Sequence, residues 1–230
     1  MRLVDEDGRG ARAITPDVAP GLKAVDDWSS FGQRTTASGT VLMDDVRLPA
    51  DHVFDTQILV DRPTLYGPIS QLIQAAIDAG IARKALRETV EFVRTRARPW
   101  IDSGVDRASD DPYTIAAIGD VALRAHAADA LLRRTGEVLD DSFGRENFDT
   151  VAASSIAVAE AKVLTTEAAL LATNKLFELA GTRSTLAEFM LDRHWRNART
   201  HTLHDPVRWK YFAVGDYVLN GVKPPRHPWI

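Results

Sequence analysis

Three observations predict a mainly α fold, an antiparallel four-helix bundle preceded by a partial β domain. Beyond residue 60 the apolar residues recur at helical spacing over long stretches, whereas the first fifty-odd residues alternate briefly between prolines and glycines. The chain has 230 residues, 45% of them hydrophobic, enough for a substantial core. The predicted division is a β piece over residues 1–60 and a bundle over residues 61–230.

In the β piece, Ala13-Ile14-Thr15, Leu22-Lys23-Ala24-Val25 and Gly39-Thr40-Val41-Leu42-Met43 lie between Pro16, Pro20-Gly21 and Pro49, the pattern of short strands joined by turns. Three or four strands leave open edges that other segments must cover, so the N-terminus reads as cut. The first helix is predicted between Pro63 and Pro99, with Ile69, Leu72, Ile73, Ala76, Ile77, Gly80 and Ile81 on its apolar face. A second opens at Asp111-Pro112, an N-cap followed by the proline favoured at the first helical position, and ends near Gly144. Its apolar series is Ile118, Val121, Ala125, Ala128, Leu132, Thr135 and Leu139. A third, alanine-rich helix is predicted from Asp149 to Ala180 with Gly181 as its C-cap, and a fourth from near Ser184 to Thr200. A shorter helix follows Pro206 and ends near Asn220-Gly221. Helices of thirty residues far exceed the usual length of about 11–12, which predicts contacts between copies.

The net charge of −4 offers no basic excess to neutralise a phosphate backbone, so nucleic-acid binding is not expected. The absence of cysteine excludes disulfides, thiolate metal sites and cysteine nucleophiles, and is compatible with a reducing cytoplasm. The opening M-R-L-V-D-E-D-G-R-G has no apolar core of signal-peptide length, and no apolar run approaches the roughly 20 residues of a membrane span. A cytoplasmic protein without membrane contact is the expectation.

The densest chemistry lies between Arg193 and Tyr211, R-H-W-R-N-A-R-T-H-T-L-H-D-P-V-R-W-K-Y. So many titratable groups beside large aromatics must be paired or neutralised if they are buried, which makes this stretch the candidate site. A metal reading of His194, His201, His204 and Asp205 is unsupported, because His-x-x-His is not the i, i+4 pair of the common zinc signature and no glutamate follows the first histidine. Trp28, Trp195 and Trp209 read as core aromatics. Neither a dinucleotide fingerprint nor a phosphate loop occurs.

Several motifs carry a resemblance. D-D-W-S-S-F-G-Q-R-T-T-A-S-G-T-V-L-M-D-D-V-R-L-P, from Asp26 to Pro49, resembles the end of the middle β domain of the acyl-CoA dehydrogenase superfamily. F-V-R-T-R-A-R-P-W, from Phe92 to Trp100, is similar to the arginine motif closing that family's first bundle helix, which implies flavin-phosphate binding by Arg96. L-F-E-L-A-G-T-R-S-T, from Leu176 to Thr185, resembles the loop that meets the flavin of a neighbouring subunit, with Arg183 at a glycine position. Leu191 to Pro206 is similar to the helix and loop where short-chain dehydrogenases carry their catalytic glutamate, and in that register the residue is His204. Imidazole differs from a carboxylate in reach and charge, so α-proton abstraction is not expected.

H-T-L-H-D-P-V-R-W-K-Y instead resembles the flavin-dependent monooxygenase branch of the superfamily, which acts on sulfur compounds. The resemblance implies reduced FMN delivered by a separate flavin reductase, FAD being possible, and an organosulfur substrate oxidised through a C4a-(hydro)peroxyflavin. It implies Arg96 and Arg183 at the phosphate, His204 as the catalytic residue at the flavin face, and a homotetramer. Arg34 and Ser38 are possible pocket residues, and His201 would share the face of His204 in a helix. A dehydrogenase-like oxidoreductase and a bundle that only assembles are the alternatives.

Overall fold

The computed structural model describes residues 2–4, 10–16 and 18–230. Most of the opening stretch read for a signal sequence lies outside them. The β piece holds β1 (Arg2–Val4), β2 (Gly10–Ala13), β3 (Leu22–Ala24), β4 (Val41–Met43) and β5 (Val53–Asp55). They form two small antiparallel sheets. β2 lies between β1 and β5, with Ala11 opposite Asp55, and β3 pairs with β4, with Leu22 opposite Met43.

The helices are α1 (Ile58–Asp61), α2 (Tyr66–Thr95), α3 (Pro112–Ser142), α4 (Phe148–Ala180), α5 (Asp192–His201) and α6 (Arg208–Asn220). Local chemistry sets their ends. The Asp111 carboxylate accepts from the N–H groups of Tyr113 and Thr114 at 2.8 and 3.2 Å, satisfying two of the donors a helix start leaves unpaired. Asn147 and Thr150 cap α4 reciprocally. Gly181 closes it, its N–H donating to Phe177 O at 3.0 Å.

Cross-helix bonds give the directions. Thr135 Oγ1 donates to Ala157 O, and Ser154 Oγ donates to Ser142 Oγ, so α3 and α4 are antiparallel. His194 meets Glu88 while His201 meets Asp78, so α5 runs against α2. Tyr211 of α6 donates to Glu167 of α4. The architecture is therefore a helical bundle with a small β part, as the sequence predicts. Its core is rich in small residues, with Ala82, Ala85, Ala128, Ala168, Ala169 and Ala172 buried around Phe92 and Leu176, which lets the helices approach closely.

Two expectations need correction. The fourth long helix does not begin near Ser184: the chain makes 3-10 turns at Thr182–Thr185 and Ala187–Phe189, and Met190 adopts φ 49°, before α5 starts at Asp192. That left-handed residue cannot continue a helix. Only the start of that helix moves: α5 ends at His201, near the expected Thr200, and the separate short helix expected after Pro206 is α6, which completes the fourth arm. Second, Ile69, Ile73 and Ile77 are exposed; α2 buries Gln71, Ala75, Asp78, Ala79, Ala82 and Ala85 instead. Both stripes have helical spacing, and close packing against α4 selects the face with small side chains.

Candidate active site

The interruption between α5 and α6 places the candidate site. Pro206 has no N–H to donate and its ring would clash with the carbonyl four residues earlier, so a continuous helix is barred here. α5 ends at His201, a turn bonds Leu203 N to Thr200 O and His204 N to His201 O, and α6 begins only at Arg208. His204 and Asp205 thus sit in a break partway along the bundle.

His204 lines two adjoining cavities. The larger, about 780 Å³, falls within the size range of small-molecule sites. Its wall combines Tyr66, Gln71 and Gln74 of α2, Ser155 of α4, Arg12 of β2 and Trp229. The smaller, about 570 Å³, lies between α6 and the following segment and is walled by Trp209, Phe212, Pro224, Pro225 and Trp229. Trp209 is therefore an exposed wall residue and not a core aromatic. Residues 222–230 strap both cavities: Gln71 Nε2 donates to Pro228 O at 2.7 Å, Lys210 Nζ donates to Trp229 O, and Lys223 pairs with Asp149 at 2.6 Å. Gly67 admits the strap, since a Cβ there would stand 2.7 Å from His227 O.

Behind His204 lies a buried set of charges. Its Nδ1 is 2.7 Å from Asp205 Oδ1, and Asp205 Oδ2 is 3.5 Å from Lys210 Nζ. Farther in, Asp78 takes Lys162 Nζ at 2.8 Å, Thr166 Oγ1 at 3.1 Å and His201 Nδ1 at 2.6 Å. Asp78 and Lys162 are wholly buried. Burial alone would raise the Asp78 carboxyl, but the His201 hydrogen bond and the Lys162 charge outweigh it and hold the pKa below the ordinary value. The same contest, with His204 and then Lys210 as opposing partners, leaves Asp205 lowered as well. Burial lowers Lys210 despite Asp205.

The predicted site residues fall into two groups. Arg96 and Arg183 converge on one ring, their guanidinium carbons 5.0 and 5.9 Å from the centre of Phe189. Both are exposed, and neither has an ion-pair partner among the described residues, so together they suit an anion such as a phosphate. His204 is elsewhere. Gln74 is the last α2 residue of its larger cavity, and Arg96 follows 22 positions later, about 33 Å along the helix at a 1.5 Å rise. One FMN bound to one chain does not span that distance, so a neighbouring copy would have to complete any site that uses all three residues.

The rest of the dense stretch holds the fold together. Arg193 Nη2 donates to both oxygens of Glu88 at 2.7 Å, beside Lys84 and His194, and the Glu88 carboxyl is lowered to about 2 because hydrogen bonds from Lys84 and His194 outweigh the opposing effect of burial. Arg196 donates to Phe31 O, and Asn197 accepts from Gln33 N, docking the β piece on α5. Gly32 permits that contact: a Cβ would lie 2.0 Å from Arg196 O. His201 shares no surface with His204, being buried on Asp78 and lining neither cavity. Arg34 and Ser38 line neither cavity. Sequence reasoning missed Asp78, Lys162, Phe189 and the strap. A charged residue within each alanine-rich stripe was the available signal for the first two.

Comparison with known proteins agrees with this architecture. Residues 72–209 match the family described as acyl-CoA dehydrogenase, C-terminal domain. A dibenzothiophene monooxygenase of Mycolicibacterium goodii is 37% identical over 225 residues, covering 94% of this chain and 54% of that protein. A probable FMNH2-dependent monooxygenase of Pseudomonas putida is 33% identical over 233 residues, covering 96% of this chain and 58% of the relative. The crystal structure of a dibenzothiophene monooxygenase from Paenibacillus sp. A11-2 superposes with a TM-score of 0.90 at 32% identity, over 98% of this chain and 61% of that one. The chain spans about half the length of the curated relatives it matches. With the matched region running from α2 through the broken arm that carries His204, the chain belongs to the acyl-CoA dehydrogenase C-terminal domain family.

Proposed function

We propose that this chain carries the bundle portion of a reduced-FMN-dependent monooxygenase acting on an organosulfur compound, with residues 1–60 as the end of a β domain and residues 61–230 as the bundle. The observation that carries the reading is His204: an imidazole with one nitrogen on a buried carboxylate and its side chain 47% exposed, at the junction of two partly aromatic cavities. The named monooxygenase relatives support the same chemistry.

The residues fit the cofactor in two places. The paired guanidinium groups of Arg96 and Arg183 suit its phosphate, and the larger cavity beside His204 has the volume and mixed polarity suited to a ring system and substrate. Because these places lie at opposite ends of the bundle, the reading requires two copies of the chain, one giving Arg96 and Arg183 and the other His204, within a homotetramer. Reduced FMN, when bound, supplies the electrons that activate oxygen; a separate flavin reductase provides it. His204 then accepts a proton at Nε2 and can return it, and Trp209, Phe212 and Trp229 exclude water from the reacting atoms.

The test combines the purified chain with FMN, NADH, a flavin reductase and dibenzothiophene under labelled oxygen. Incorporation of one labelled oxygen atom into the sulfur compound is the expected result. Failure both to form that product and to retain FMN would overturn the reading.

A further inference from the structure

We propose that Asp205 is a positioning residue: it holds His204 as the Nδ1–H tautomer and leaves Nε2 as a bare lone pair toward the cavities. The inference rests on the reading of His204 as the catalytic residue only for its consequence in turnover. Its geometry stands on its own. An ionised carboxylate accepts hydrogen bonds and donates none, so the 2.7 Å contact between His204 Nδ1 and Asp205 Oδ1 requires the proton on Nδ1. In the neutral ring the other nitrogen is then unprotonated, and it has no partner among the described residues.

The pairing depends on the break in the fourth arm. Neighbouring side chains in an α-helix do not face each other, so a His-Asp pair at positions i and i+1 could not form within a continuous helix. The turn between His201 and Arg208 brings the two side chains together.

Asp205 is itself held on its far side. It is 4% exposed, and the Lys210 ammonium, 1% exposed, stands 3.5 Å from its second oxygen while donating to Trp229 O. Lys162 on α4 adds a second positive charge nearby and helps keep Asp205 ionised. From the cavity side, Arg12, Tyr66, Arg226 and His227 in the larger cavity and Asp216 and Lys223 in the smaller are the other titratable wall residues, and the Nδ1 contact is to Asp205. A carboxylate that fixes the tautomer and orientation of an imidazole, without itself exchanging a proton, changes what the opposite nitrogen can do.

The experiment labels the histidines of the full chain with nitrogen-15 and records long-range proton–nitrogen spectra at about pH 9, well above the ordinary imidazole range near 6.5. His204→Gln assigns the signals. The expected wild-type pattern is a protonated Nδ1 and an unprotonated Nε2 at His204, and a ring protonated on Nε2 overturns the proposal. In Asp205→Asn the Nδ1–H population should fall, because the amide can donate to Nδ1; an unchanged population also overturns it. If that variant does not fold, the wild-type spectrum still decides. Turnover under the assay above should drop about 10–100-fold in Asp205→Asn, with substrate KM little changed. An Nδ1–H ring in a chain without oxygenation supports the positioning and rejects the proposed function. Oxygenation by a chain whose ring is protonated on Nε2 does the reverse.

Discussion

Asp78→Asn should be among the most damaging single substitutions in the bundle, because it strips the charge from the direct partner of a wholly buried lysine. Lys162 Nζ lies 2.8 Å from Asp78 Oδ2, and both side chains are at 0% exposure. Removing one member of such a pair costs about 3–5 kcal/mol, because an uncompensated charge stays in a medium that solvates it poorly. With a urea m-value of about 2 kcal/mol per molar, the unfolding midpoint should fall by roughly 2 M. The converse change is milder. In Lys162→Met the Asp78 carboxylate keeps His201 at 2.6 Å and Thr166 at 3.1 Å, so the loss should be smaller by about 2 kcal/mol. Asp78 is lowered when folded, so its stabilisation is present above the ordinary carboxyl pKa of about 3.9 and is lost as the pH falls through the folded value. Urea titrations at pH 7 measure the order directly. A loss below about 1 kcal/mol in Asp78→Asn, or a larger loss in Lys162→Met, would refute the assignment of a buried, asymmetrically partnered pair.

Glu88→Gln should destabilise the chain at neutral pH, and the penalty relative to wild type should shrink as the pH drops from 4.5 toward about 2, the folded pKa of Glu88; paired urea titrations across that range check the sign. Gly32→Ala places a Cβ 2.0 Å from Arg196 O, so the β piece must shift off α5 at a cost of about 2 kcal/mol or more; a lowered Tm together with altered fluorescence from Trp195, which stacks on Phe31 at 5.8 Å, reports it. In the proposed oxygenase, the double variant Arg96→Ala, Arg183→Ala should bind FMN at least tenfold more weakly while leaving riboflavin affinity unchanged, because only FMN carries the phosphate; equal losses for both flavins in titration calorimetry would reject the phosphate role.

Much of the bundle was legible because caps and breakers are local. Asp111 before Pro112 marks the start of α3 within the residue, and Gly181 marks the end of α4. The failures came where two local signals were equally good or where the decisive partner was far along the chain. The isoleucine and alanine stripes of α2 share one period, and only the proximity of α4 decides that the alanines go inside. The sequence could not say which copy of the chain brings Arg96, Arg183 or His204 to one flavin; helix rise puts Arg96 about 33 Å beyond Gln74, the last α2 residue of the cavity that His204 lines. Asp78 and Lys162 are 84 positions apart, and neither reveals the other until α2 and α4 are packed.

His204 was visible as one member of a crowded polar stretch, yet its chemistry is set by the residue two positions beyond it. Pro206 bars the helix from continuing, the resulting turn lets adjacent side chains converge, and the buried ammonium of Lys210, one turn into α6, stands against Asp205 from behind. Had α5 run unbroken into α6, successive side chains would have pointed about 100° apart around the axis, and His204 could not have taken a carboxylate from its own neighbour. A histidine exposed to the cavities but without that carboxylate would be free to hold its proton on either nitrogen. The break therefore does more than redirect the chain: it converts a polar sequence into an imidazole with one committed nitrogen and one available nitrogen, at the junction of two cavities.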